Sequence, residues 1–229
     1  MLNLATLILA FPVIGLLVNA VCGRWMDEKW VGIVSSGAAS AAFMMALLQA
    51  ISLAASGFQA EMVFLSDWVT IGELSMPWQL RVDTLSVMML LLVTGVGALI
   101  HVYAVGYMHG DDRFNRFFIY LNLFLVAMLV LVLGDNYLMM FVGWEGVGLC
   151  SYLLIGFWFD QETPVSHRRG GEQKGSSNAR AGRKAFVVNR IGDFGFLIAM
   201  FVIFVAVGSL QFDEVFHYFE EEGKTATRL

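Results

Sequence analysis

Charge is what this chain has least of. Lys, Arg, Asp and Glu together make up 14% of its 229 residues, whereas a soluble globular domain carries about 25%. With 58% hydrophobic residues and a mean hydropathy of +0.70, a water-soluble globule is excluded and the chain belongs in a lipid bilayer. Cysteine is nearly absent. Cys22 and Cys150 lie in separate apolar segments with no CxxC or Cys/His spacing, so no iron–sulfur or zinc site is written here and both thiols read as packing residues. Histidine is equally sparse: a bis-histidine haem needs paired helical histidines, but His109, His167 and His217 fall in connecting or tail segments. Redox chemistry therefore has no visible seat. The net charge of −5 is modest and the bases are not gathered on one helix face, which argues against a nucleic-acid partner.

What is present is a series of long apolar runs. Counting runs of about 20 residues, the length that crosses a hydrocarbon core of about 30 Å, gives six spans, at about 3–22, 30–55, 84–108, 115–133, 136–158 and 184–207. The fold class is an all-α polytopic membrane protein. The first span is a retained helix rather than a signal peptide, because no Lys or Arg precedes its apolar run and Arg24 and Lys29 follow it. The chain divides into two N-terminal spans (1–55), a surface segment (56–83), spans three to five (84–158), a basic loop (159–183), span six (184–207) and a tail (208–229).

Orientation follows from the bases, since short cytoplasmic loops collect Lys and Arg. Arg24, Lys29, Arg113, Arg116, Arg168, Arg169, Lys174, Arg180 and Arg183 fall on one side. Arg81 stands alone on the other, leaving aside Lys224 and Arg228 in the tail. The N-terminus is thus expected outside, in what would be a bacterial inner membrane. Residues 56–83 alternate loosely, Trp68 and Trp78 flank a Gly72-Glu73 step, and Pro77 disfavours a helix, so a short hairpin on the membrane surface is expected. The Gly/Ser-rich basic stretch before span six reads as a flexible cytoplasmic loop. Phe212, Val215, Phe216 and Phe219 recur at helical spacing beside Asp213, Glu214, Glu220 and Glu221, as in an interfacial amphipathic helix.

Charges inside the spans are the informative exceptions. Glu145 sits near the middle of span five, at a depth where a charged side chain costs roughly 2.5–3.5 kcal/mol on insertion scales, so it needs a partner or a task. Gly143, Gly146, Gly148 and Ser151 surround it with small residues that let neighbouring backbones approach, placing it on a packed surface. Span six carries Lys184, Arg190 and Asp193. Arg190 and Asp193, three residues apart, project within about 60° of each other and can pair. Lys184 lies on the opposite azimuth near the cytoplasmic end, where its stem can snorkel to water or join a path. Glu145 and Asp193 lie at matching depths, each about 14 Å from its own surface. A carboxylate beside a base is held ionised while desolvation favours its neutral form, and that balance lets a neighbour's motion load and unload a proton. His101, within span three, is a further candidate for the relay, or a satisfied packing residue. These residues suggest an ion path with no catalytic, cofactor or metal site.

LRVDTLSVMMLLLVTGVGALIHVYAVGYMHGDDRFNRFF from Leu80, then GDNYLMMFVGWEGVGLCSYLLIGFWF and KAFVVNRIGDFGFLIAM, resemble the N-terminal part of the chain 5 (subunit L) family of proton-translocating NADH:quinone oxidoreductase, respiratory complex I. The resemblance runs from about Leu80 to Phe216; residues 1–79 agree in hydropathy and layout. It implies an antiporter-like fold, with Glu145 at the family's fifth-helix glutamate and Arg190 and Asp193 at charged positions of its sixth helix. It also implies partners among the other membrane-arm subunits, with NADH, FMN, iron–sulfur clusters and quinone carried by partner chains and no redox site on this one. Family members continue into a broken seventh helix whose lysine pairs with the fifth-helix glutamate, so this chain is expected to be a half-channel fragment. The loop HRRGGEQKGSSNARAGR is longer and more basic than the family's usual connection. Two other readings stand beside the redox complex: the related large subunit of multisubunit sodium/proton antiporters, and a truncated scaffold without transport.

Overall fold

The computed structural model describes residues 3–71, 74–160 and 178–226. In chain order these form α1 (Leu4–Cys22), a 3-10 turn (Gly23–Trp25), α2 (Glu28–Ala55), β1 (Glu61–Ile71), β2 (Leu74–Val82), α3 (Thr84–Tyr107), α4 (Phe114–Leu133), α5 (Tyr137–Ile155), α6 (Asn178–Val207) and α7 (Phe212–Ala226). Six helices among the described residues, α1 to α6, are long and apolar enough to cross a membrane, and the chain is an integral membrane protein. Most of the Gly/Ser-rich basic loop, residues 161–177, lies outside the described residues, as does the Gly72-Glu73 step. Helix α6 starts at Asn178, six residues ahead of the apolar run, because Ala179, Arg180, Ala181, Arg183 and Lys184 are good helix formers.

Close approach of backbones, rather than large side chains, builds the first bundle. The buried stripe of α2 runs Val31, Gly32, Ser35, Ala39, Ala42, Ala46, Gln49, Leu53 at helical spacing. Its small members let α1 and α3 come close, the packing mode that membrane helices favour when lipid is as apolar as leucine. A Cβ on Gly15 of α1 would stand 2.7 Å from the Ala38 Cβ, which fixes that crossing. Helix α4 lies against α1 and α3 through Phe118, Leu121, Leu125 and Leu129, all buried. Helix α5 packs on α4, and α6 packs on α5.

The segment after α2 is the expected hairpin. β1 and β2 pair antiparallel from Glu61–Val82 to Ile71–Leu74, with register shifts at Phe64/Ser66 and Asp67/Val69 that twist the ribbon. Trp68 and Trp78 meet edge to face at 4.9 Å. Buried Met76, Leu80 and Val82 seat β2 on the bundle, and Asp83 then caps α3 by a reciprocal box with Ser86.

At this hairpin end Arg81 gathers three carboxylates. It reaches Asp135 at 3.1 Å, Asp213 at 2.7 Å and Asp83 at 3.3 Å, while Gln79 donates to Asp135 at 2.9 Å. Burial pushes the Asp135 carboxyl above its ordinary range, against the pull of Arg81. Burial opposes the charge of Arg81 as well, yet its hydrogen bonds to Asp213 and Asp135 hold the guanidinium above its ordinary value. The network ties the hairpin, the α4–α5 corner and the start of α7 together. The opposite end is fastened by Arg113, which grips Asp160 with two nitrogens at 2.9 and 2.6 Å, and by Trp158, which donates to Asp111 at 2.9 Å.

Candidate functional site

Helix α5 has two different faces because its small residues are not all used alike. Gly143 and Gly146 press on α4: a Cβ on Gly143 would overlap the Leu131 backbone, and one on Gly146 would come within 2.8 Å of the Ala127 Cβ. Cys150, buried on the same stripe, continues that contact. Glu145 lies roughly 200° round the helix from Gly143 and projects toward α6. Gly148, whose added Cβ would meet Asn189 at 3.8 Å, belongs to this second face. The glycines therefore bring α4 close on one side and leave room for a polar contact on the other.

The α5–α6 pair is fixed at both ends. Near Asp160, a Cβ on Gly182 of α6 would stand 3.2 Å from the Cα of Gly156, so the two backbones almost touch. At the hairpin end the Tyr137 N–H donates to the Leu210 carbonyl at 3.0 Å, the Phe212 N–H donates to that of Asp135, and the Tyr137 and Phe212 rings meet edge to face at 4.8 Å. With both ends pinned, the axial register of α5 against α6 is set, and Glu145 faces Arg190.

Arg190 is the centre of the site. Its Nη1 donates to Glu145 Oε2 in a direct ion pair and lies 3.4 Å from Asp193 Oδ2. Its guanidinium also sits over the Phe186 ring, 4.6 Å from the centroid. Asp193 is buried, with 3% of its surface exposed, and its other oxygen, Oδ1, accepts from Trp144 Nε1 at 2.8 Å. Glu145 is half-buried, while Arg190 keeps 43% of its side chain open. One cation thus serves two carboxylates on adjacent helices, and an indole N–H holds the more buried one.

The remaining sequence candidates lie elsewhere. Lys184 is exposed on α6, about 9 Å along the axis from Arg190 toward the Asp160 end. His101 is buried in α3, beside Phe118 of α4, in the first bundle rather than at the α5–α6 groove. Its Nδ1 lies 2.7 Å from the Gly97 carbonyl. A carbonyl only accepts, so Nδ1 carries the proton; Nε2 has no hydrogen-bond partner among the described residues. The i, i+3 spacing that pairs Arg190 with Asp193 was legible in the sequence. The direct contact of Arg190 with Glu145 was not, because it depends on the register of two helices. Trp144 was missed altogether, although its place beside Glu145 in a membrane-depth run was a signal: the residue is 47% exposed, and an indole N–H at a depth where lipid offers no hydrogen bond seeks a protein acceptor.

The chain is similar to known proteins along most of its length. A family model described as NADH-Ubiquinone oxidoreductase (complex I), chain 5 N-terminus, matches residues 68–118, and one described as NADH:quinone oxidoreductase/Mrp antiporter, TM, matches residues 134–228. NADH-quinone oxidoreductase subunit L of Mycobacterium tuberculosis (strain CDC 1551 / Oshkosh) is 43% identical over 214 residues, 92% of this chain and 31% of that protein. The subunit L of Escherichia coli (strain K12) is 40% identical over 215 residues, 93% of this chain and 33% of that protein. That of Rhodobacter capsulatus is 38% identical over 229 residues, 97% and 30%. The chain thus spans about a third of the length of these relatives. A chain in the solved structure of the membrane-bound sulfane sulfur reductase, an archaeal respiratory membrane complex, matches 92% of this chain and 39% of its own length, with a TM-score of 0.69 at 15% identity, a likeness of fold. The second model covers the helices that carry Glu145, Arg190 and Asp193, and by both models and the subunit L relatives the chain belongs to the complex I chain 5 (subunit L) family of antiporter-like membrane proteins.

Proposed function

We propose that this chain is part of a membrane-arm subunit of NADH:quinone oxidoreductase that moves protons through Glu145, Arg190 and Asp193. The observation that carries the reading is the single guanidinium seated between two carboxylates inside adjacent spans. While Glu145 is ionised, Arg190 is drawn to it. A proton arriving on Glu145 removes that attraction, and Arg190 passes to Asp193, which it already approaches at 3.4 Å. The protonation state of one residue thereby sets the position of a charge, which is how a relay couples to events elsewhere. Lys184 and His101, both toward the end of the bundle that carries Arg113 and Asp160, are proposed as subsidiary members on the uptake side. NADH, FMN, iron–sulfur clusters and quinone are assigned to partner subunits, and the other membrane-arm subunits to the flanks of this chain.

A sodium/proton antiporter subunit is the second reading, because the model matching residues 134–228 spans both groups of proteins by its description. Sodium needs oxygen ligands around an empty centre. Arg190 occupies the space between the two carboxylates, which favours the proton. A scaffold without transport would bear the cost of three intramembrane charges for no gain.

The test is a chimera in which residues 1–229 replace the matching third of a relative's subunit L, assayed in sodium-free liposomes. The expected result is proton uptake coupled to NADH oxidation at the parental ratio. An assembled, NADH-oxidising complex whose ratio drops, or recovers only with sodium, would overturn the reading.

The proposed orientation puts the N-terminus and the hairpin outside and residues 160–183 in the cytoplasm, in a bacterial inner membrane. It is supported by nine Lys and Arg residues in the loops and helix ends of one side against Arg81 on the other, and Arg81 is engaged by three carboxylates. With Ser56→Cys and Asp112→Cys in separate variants, an impermeant thiol reagent added to intact cells should label only the first. Labelling of the second alone inverts the topology.

A further inference from the structure

Glu145 and Asp193 differ in what holds them. Glu145 has Arg190, a cation on a long stem, whereas Asp193 has Arg190 on one oxygen and a non-titrating donor on the other. Trp144 cannot gain or lose a proton in the physiological range and donates only. Its ring is held in turn: it stacks on Phe196 at 6.0 Å with 22° between planes, and Phe196 stacks on Phe141 at 5.6 Å and 17°. An aromatic column shared by α5 and α6 thus aims the N–H at Asp193.

We propose that Trp144 is a positioning residue for the relay: its indole N–H keeps Asp193 correctly turned as an acceptor, so that Arg190 has a ready partner when it leaves Glu145. This rests on reading the Glu145–Arg190–Asp193 cluster as the proton-transfer site. The geometry divides the labour of Asp193 between its two oxygens. Oδ1 is committed to Trp144 at 2.8 Å, so Oδ2 is turned toward Arg190, one helical turn back. Without the indole the carboxylate loses a hydrogen bond that only its charged form uses fully, and its side chain is free to rotate away from Arg190. Trp144 also follows directly from the placement of Glu145: adjacent residues project about 100° apart, so one stretch of α5 supplies the acid that binds the cation and the donor that readies its alternative partner.

Among the described residues, few other charges face Asp193. Arg190 approaches from its own helix and Glu145 from α5. Lys184 is exposed and about 13 Å away along α6. Helix α7, with Asp213, Glu214 and His217, begins beyond the end of α6, which lies about 21 Å further on. A change in the pH dependence on removing the indole N–H is therefore attributable to this cluster.

The experiment compares Trp144→Phe with the parent in the full-length assembled complex, reading protons translocated per NADH oxidised as a function of pH. Phe keeps the ring that stacks on Phe196 and removes the donor. Assembled yield and NADH oxidation should hold, while the acid limb of the pumping ratio moves up by about one pH unit, a tenfold change in proton activity, as expected for loss of one hydrogen bond to a charged group. Phe196→Leu, which loosens the column and leaves the donor, should move that limb less. If Trp144→Phe fails to assemble, incorporating the benzothiophene analogue of tryptophan, with sulfur replacing N–H in the same outline, supplies the same comparison. An unchanged pH profile in a complex whose pumping is lost in Glu145→Gln would overturn the role of Trp144 alone. Full pumping in Glu145→Gln would instead overturn the proton-transfer reading on which it rests.

Discussion

Glu145→Gln should abolish the proton flux through this chain while the complex assembles and oxidises NADH. The amide keeps the length and shape of the carboxyl and can still accept from Arg190 Nη1, so the α5–α6 groove should survive. It cannot bind and release a proton. Positioned acid–base groups contribute typically about 10²–10⁴-fold to proton transfer, so loss of one lowers the flux through this path by about 10²-fold or more. The quantity to measure is protons translocated per NADH oxidised, in liposomes with an external pH indicator, beside assembled yield from native gels. An undiminished ratio sinks the assignment of Glu145. Glu145→Ala is the poorer probe, since it strands Arg190 and opens a void at once.

The six spans were legible because hydrophobic length is a strong signal and because lipid leaves the backbone few options: in its core a spanning segment must satisfy its own hydrogen bonds, and a helix does so. The hairpin was legible for a different reason. Pro77 and the loose alternation of residues 68–82 fit a two-stranded ribbon, and Trp68 and Trp78, noted as flanking the Gly72-Glu73 step, meet edge to face between the two strands at 4.9 Å. Contacts that join distant segments were not legible. The Arg81 network links β2 to the α4–α5 corner and to α7, 54 and 132 residues away in sequence, and no local pattern encodes such a meeting.

The site shows the same division. The i, i+3 relation of Arg190 and Asp193 is a property of one helix and could be read from spacing alone. That Arg190 also meets Glu145 depends on how far α6 slides along α5, which is set by Gly156 against Gly182 at one end and by the Tyr137–Leu210 and Phe212–Asp135 hydrogen bonds at the other. The glycines near Glu145 were expected to let neighbouring backbones approach and so to place the acid on a packed surface. Gly143 and Gly146 instead bring α4 to the far face of α5, and only Gly148 shares the side of Glu145 that meets α6.

Removal of Arg190 should be the most damaging single change in the cluster, and removal of Asp193 the milder one. In Asp193→Asn the cation keeps Glu145, and the amide oxygen can still accept from Trp144. In Arg190→Gln two carboxylates at membrane depth lose their shared cation. Breaking a buried pair costs about 3–5 kcal/mol, and the lower end applies, because Arg190 keeps 43% of its side chain open. The double variant Arg190→Gln/Asp193→Asn leaves one carboxylate instead of two, so assembled yield should recover part of what Arg190→Gln loses while proton flux does not return. The double-mutant cycle on yield should give a coupling on the order of 1 kcal/mol or more. Extending it to Arg190→Gln/Glu145→Gln should give at least as large a coupling, since Glu145 makes the closer contact with the guanidinium. Additive effects in both cycles would show that the three residues act separately, and the shared cation could not then be the element that moves between them.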